Sequence, residues 1–252
     1  MDHRKRAAAK LGIAIALLVG GMLGGVTWAY RHVPDFYRQS LAVDETKQRE
    51  ANDELLAQAT ALVSSARKQG TWSAAFTADQ INGWLAVDVP ENYPDVLASG
   101  ISEPRLRIEP HRATIACHYT DEKVSTVVSL DVEVALAEPN VLALKIERLR
   151  AGAMPLPLST VIDGLSTVAA DMELPLRWTK SDGAPTALLS LPPMVDQNGT
   201  QYELRTLELR AGQLVLAGRT TAAGPTGHPP TPATAAFHAL LNASALNLNV
   251  QR

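Results

Sequence analysis

Histidines, cysteines, paired carboxylates and activated serines do most protein chemistry, so their spacing comes first. His111 falls in a Pro110-His111-Arg112 turn and His118 on the polar side of an alternating strand pattern. Neither has a carboxylate or a second histidine at metal-ligand spacing, so no catalytic, cofactor or metal residue is assigned. Cys117 is the only cysteine, which excludes an intramolecular disulfide and a Cys-based zinc site. It lies in an alternating apolar run and reads as a buried small hydrophobe. The carboxylates Asp121, Glu122, Asp131, Glu133, Glu138, Glu147, Glu203 and Glu208 are scattered over polar strand faces and turns, as solvated sheet faces produce without any glycosidase pair. No G-x-S-x-G, P-loop or G-x-G-x-x-G occurs, and neither Lys180-Ser181 nor Ser64-Ser65 is near a general-base signature. The chemistry this chain points to is binding.

The element that fixes its setting is Leu11 to Tyr30, twenty residues without a charge, including Leu17, Leu18, Gly21, Gly25 and the aromatic pair Trp28 and Tyr30. At about 1.5 Å of rise per residue such a helix matches the hydrocarbon thickness of a bilayer. Arg4, Lys5, Arg6 and Lys10 precede it, whereas Arg31 and Arg38 on the other side are diluted by Asp35, Asp44 and Glu45. The expectation is a single-pass protein of the cell membrane: a cytoplasmic tip (1–10), a span (11–30) and an extracytoplasmic remainder. A cleaved signal peptide shares this order, but the run is longer than an h-region and ends in Thr27-Trp28-Ala29-Tyr30, not an A-x-A-like site. The pairs Gly20/Gly24 and Gly21/Gly25 permit close helix approach and hence homodimerisation within the membrane.

Residues 31–70 read as a juxtamembrane connector, Asp35 to Val43, and a stalk helix, Asp44 to Gln69, stopped by Gly70. Its apolar stripe, Leu55, Leu56, Ala59, Leu62, Val63 and Ala66, occupies only the distal half, which is expected to pack on the domain; pairing with a partner helix is the alternative. A net charge of −3 and no basic patch beyond the tip argue against nucleic acid as a partner.

Residues 71–220 carry an α+β pattern. A strand to Phe76 leads into Thr77-Ala78-Asp79-Gln80, a capping box, and a helix with Ile81, Trp84 and Leu85 on one side. Glu91 to Gly100 reads as a loop. Beyond it the period becomes two, with Ile115, Cys117 and Tyr119 opposite Thr114, Ala116 and His118. The clearest strand has Val124, Thr126, Val128, Leu130, Val132, Val134 and Leu136 on one face. Pro139-Asn140 turns it into a second strand with Leu142, Leu144 and Ile146. The helix that follows repeats Leu158, Val161, Ile162, Leu165, Val168, Ala169 and Met172 at i, i+3, i+4, i+7 and has no Lys or Arg. Further strands follow at Leu176–Trp178, Thr186–Leu191, Tyr202–Arg210 and Gln213–Gly218, with a bulge expected near Thr206 where the apolar phase slips. Residues 221–252 form a Pro/Thr/Ala-rich tail, expected to be partly disordered.

This order, with Phe76-Thr77-Ala78-Asp79-Gln80-Ile81-Asn82-Gly83-Trp84-Leu85 as its local echo, resembles the YpmS-like membrane-anchored extracytoplasmic proteins and, more distantly, LmeA-like proteins of actinobacteria. The resemblance implies a curved, mainly antiparallel sheet covered by one or two amphipathic helices and enclosing an apolar groove, as in tubular lipid-binding folds. On that reading Val128, Leu130, Val132, Val134, Leu142 and Leu144 face Leu158, Val161, Ile162, Leu165, Val168 and Met172 across a slot for lipid or another apolar envelope molecule. The same stripes fit a closed core. A scaffold that binds an envelope protein through the stalk helix or a sheet edge is the alternative function, and an envelope hydrolase built on His111 or His118 stands last.

Overall fold

The computed structural model describes residues 30–222, apart from 95, 96, 98, 123, 172–174, 192, 193 and 196–199. The expected span before Tyr30, its two glycine pairs, Met172 and the tail beyond 222 lie outside the described residues. Among the described residues no helix is long and apolar enough to cross a membrane.

The fold is α+β with antiparallel strand pairing, and its strands divide between two sheets where the sequence suggested one. The larger runs β2 (Ile101–Glu109), β3 (Arg112–Thr120), β4 (Ser125–Glu138), β5 (Val141–Ala151), β8 (Ala184–Ser190), β7 (Leu176–Ser181), and the short β6 (Met154–Pro155) pairs with β5. The smaller runs β1 (Gly70–Thr77), β11 (Gln213–Thr221), β10 (Gln201–Arg210), β9 (Met194–Val195). The second sheet was hidden because β1 and β11 pair across almost the whole domain, Gly70 with Thr220. That ladder carries β11 on to Thr221, past the Gly218 limit read from the sequence.

Two tight turns dock the sheets. His111 (φ 65) and Asn140 (φ 62) both take up left-handed backbone, which histidine and asparagine adopt more readily than most side chains. The His111 N–H donates to the Leu209 carbonyl at 3.0 Å. The Asn140 N–H donates to the Leu204 carbonyl at 3.0 Å, and its side-chain oxygen accepts from the Leu204 N–H at 2.7 Å. The expected bulge is present beside this contact, between Leu204 and Thr206.

The helices are α1 (Asp35–Leu41), α2 (Glu45–Ala66), α3 (Ala78–Ala86), α4 (Asp88–Asn92) and α5 (Ser159–Asp171). The capping box of α3 is made in full: the Gln80 N–H donates to Thr77 Oγ1 at 3.1 Å, and the Thr77 N–H to Gln80 Oε1 at 2.9 Å. One turn later Asn82 accepts from the Leu106 N–H at 2.7 Å and donates to its carbonyl at 2.8 Å, which satisfies the free edge of β2. Ile81 and Ala78 then pack on Ile108, Ala113 and Leu209. The Glu91 to Gly100 stretch expected as loop starts inside α4, which ends at Asn92.

Three expectations need correction. The connector from Asp35 is mostly helix, α1, and it covers the sheet face that was expected to be solvated: Tyr37, 1% exposed, packs on Ala116 and Val127. With that cover the burial in β3 inverts, so Ala116 is 0% exposed while Ile115 is 44% exposed. Cys117 is only half-buried, and burial pushes its thiol up. Finally, the polar half of α2 also packs, because a Cβ at Gly83 of α3 would stand 2.7 Å from the Asn52 nitrogen and the Gln48 carbonyl. Backbones that close admit only glycine there. At its far end α2 is tied to the smaller sheet, the Thr220 hydroxyl donating to the Ala66 carbonyl at 2.6 Å.

Two tests follow from this packing. Gly83→Ala on a free stalk would gain helix propensity; here it must push α2 away and is expected to cost about 1–3 kcal/mol in an unfolding titration. A stabilised variant would mean that α2 does not pack at Gln48–Asn52. Burial first, and the Glu103 carboxylate second, push the Tyr37 hydroxyl from 10.0 to about 12. The neutral phenol therefore stabilises the fold fully below pH 10 and loses that contribution as pH rises to about 12. The unfolding free energy of the wild type, referred to Tyr37→Phe, should fall across that interval; a flat difference would remove Tyr37 from the core.

Candidate functional site

Cross-strand register settles which side chains share a face, because directly paired residues point the same way. Val128, Leu130, Val132, Val134 and Leu136 of β4 stand opposite Ala151, Leu149, Ile146, Leu144 and Leu142 of β5. Leu144 pairs onward with Ala187 and Ala187 with Trp178; on the other side Val132 pairs with Ala113 and Leu130 with Ile115. A bulge at Glu147 keeps this face continuous, since the register shifts between Asp131 and Val132 just where the β5 phase would otherwise reverse.

One face of the larger sheet is therefore apolar from β2 to β7, and it is roofed unevenly. At the end carrying the His111 and Asn140 turns, α3 and the smaller sheet cover it through Ile81, Leu209 and Leu214. At the β7 side α5 lies over it, tied by the Trp178 indole N–H donating to the Ser166 hydroxyl at 2.9 Å. The principal contact of α5 with the sheet is along β7. Of the groove residues read from the sequence, Val132 is buried, whereas Val128, Leu130, Val134, Leu142, Leu144, Leu158, Val161, Ile162 and Leu165 are half-buried. Val168 lies within α5 but its side chain, like Met172, is outside the described residues. Leu156, beside β6 before α5, and Ile115, on the β3 part of the floor, are exposed.

The opposite face holds what the sequence reading missed. Asp131 was placed on a solvated face but is 6% exposed. Its Oδ1 accepts from the Thr114 hydroxyl at 2.9 Å, and its Oδ2 lies 2.9 Å from Arg150 Nη2 and 3.1 Å from Arg148 Nε. Arg112 Nε lies 2.7 Å from Glu147 Oε2, an ion pair off the N–H direction and so not a hydrogen bond. Arg107 stacks 4.7 Å over the Phe36 ring of α1 and sits 3.3 Å from Glu109. The signal for this cluster is in the chain: Arg105/Arg107 and Arg148/Arg150 are spaced by two, which puts each pair on one strand face.

His118 contacts the Ser125 hydroxyl at 3.1 Å, and His111 is the docking turn. Arg105 is almost fully buried, its guanidinium held below its usual range by that burial while the charges of Tyr37 and Glu103 act the other way. It reaches a second cleft, about 340 Å³ between α2 and α3, where Glu50, Glu54 and Asp79 mix with Lys47.

Comparison of the chain with protein-family models, with curated proteins and with solved structures finds no match.

Proposed function

We propose that this is a single-pass, membrane-anchored protein with its N-terminus in the cytoplasm, whose extracytoplasmic domain binds or passes lipid, or another apolar envelope molecule, without catalysing a reaction on it. The groove runs between the apolar face of the larger sheet and α5. The observation that carries this reading is the half-open apolar face, with Ile115 44% exposed on its floor. Leaving apolar surface in water costs about 25 cal/mol per Å², and an acyl chain laid over it recovers about 0.8 kcal/mol for each methylene buried. The geometry of entry supports it too. The Thr126 hydroxyl donates to the Tyr30 carbonyl at 2.8 Å, so the chain arriving from the expected span meets the sheet at the end away from the His111 and Asn140 turns.

An envelope scaffold that docks a protein on a sheet edge is the second reading, and it draws on the outer edge of β7, which pairs with no further strand among the described residues. Its other route, the stalk helix, is weakened because the apolar stripe of α2 already packs on α3 and β1. Homodimerisation through Gly20/Gly24 and Gly21/Gly25 remains part of the proposal for the span.

Native mass spectrometry of the full chain, extracted in detergent from the producing membrane, separates these readings. Stoichiometric co-purified lipid is expected, and Ile115→Asp should lower its occupancy at least about tenfold, since a carboxylate against an acyl chain costs several kcal/mol. A clean protein mass with no uptake from added vesicles would overturn the lipid reading, and unchanged occupancy in Ile115→Asp would move the ligand off this face.

A further inference from the structure

The cleft on the polar face of the larger sheet, about 280 Å³ beneath the segment leading into α1, gathers arginines from several strands. Four arginines line it, Arg107, Arg112, Arg148 and Arg150, with two carboxylates, Asp131 and Asp35, while Glu109 and Glu147 beside it pair with Arg107 and Arg112. Asp35 is engaged by Arg38. Asp131 is shared between Arg148 and Arg150, so one negative charge answers two guanidinium groups. Each guanidinium carries five donors in a fixed fork, and one carboxylate oxygen cannot occupy them all. The arginine side chains keep 37–55% exposure, so these donors are reachable from solvent.

A second observation is independent of charge. Ser129, the cross-strand neighbour of Arg150, lines the same cleft and is 5% exposed, so a hydroxyl is set among the arginines.

We propose that this cleft is a binding site for a phosphate-class oxyanion, held between the Arg148 and Arg150 guanidinium groups with the Ser129 hydroxyl as a further donor. A tetrahedral phosphoryl group presents several acceptor oxygens at the spacing of guanidinium forks, and its charge exceeds that of one carboxylate. The site lies on the face away from the apolar groove, so it stands whether or not the groove takes lipid. A soluble phosphate and the headgroup of an anionic phospholipid share this chemistry, and the Tyr30 carbonyl held against β4 brings the headgroup source within reach if the preceding residues span a membrane.

The test is calorimetric titration of the full chain in dodecyl maltoside with inorganic phosphate, then with dihexanoyl phosphatidylglycerol as a monomer, and dihexanoyl phosphatidylcholine as control. Phosphate should bind, and binding should weaken with added salt. Arg148→Lys keeps the charge but loses the fork and should weaken binding about tenfold; Ser129→Ala should weaken it about threefold to tenfold, both with a wild-type melting temperature. Displacement of phosphate by phosphatidylglycerol and not by phosphatidylcholine supports the site and names a lipid headgroup. Phosphate binding that neither lipid displaces supports it and names a soluble source. No heat from phosphate or phosphatidylglycerol at millimolar concentration, or wild-type affinity in both variants, overturns the proposal.

Discussion

Tyr37 is the contact on which the layering of the domain depends. A sheet as broad as the larger one has two faces to account for, and here one is apolar throughout while the other alternates small residues with ions. Inserting a single phenol over Ala116 and Val127, with its hydroxyl donating to the Glu103 carbonyl at 3.0 Å, converts part of the ionic face into core without stranding a polar group. α1 is then fixed, Phe36 is placed against Arg107, and the chain entering from the N-terminal side is held along the sheet. Had this face stayed in water, Asp131 and its arginines would form an ordinary surface ion-pair patch, worth little.

The two faces consequently do different work. On the apolar face the unsolved term is hydrophobic area that α3, α5 and the smaller sheet leave half-covered. On the ionic face it is a surplus of directed donors around one shared carboxylate. Apolar burial is indifferent to direction, whereas guanidinium forks are demanding about it. A chain carrying both keeps non-directional burial and directed charge on opposite sides of one sheet.

Local rules were legible in the sequence, and long-range cover was not. Thr77 and Gln80 announced a capping box because both partners lie within one turn; the slip at Thr206 announced a bulge because the period is interrupted on the spot; Asn140 announced a hairpin. The split into two sheets depended on β1 finding β11, and the face of β3 that is buried depended on where α1 comes to rest. No pattern inside Thr114 to Cys117 says whether Ile115 or Ala116 will be covered. Asn82 and Gly83 sat in the stretch that carried the family resemblance, yet their roles, closing the edge of β2 and admitting α2, required the partners to be in place. The arginine cleft is the same case: the spacing was visible, the convergence of three strands was not.

The pairing of β1 with β11 has a consequence for how the chain is made. A chain emerging from the ribosome releases Gly70–Thr77 long before Gln213–Thr221, so β1 waits with both edges unpaired while every strand of the larger sheet can already close on its neighbours. Trp72, which ends up lying across Gly218 and donating to the Thr220 hydroxyl at 3.1 Å, is exposed for that interval. The smaller sheet is thus a clasp that shuts only once β11 is in place, after the turns at His111 and Asn140 have β10 to bond to. Quality control that recognises exposed aromatic residues would see an unfinished molecule until β11 arrives.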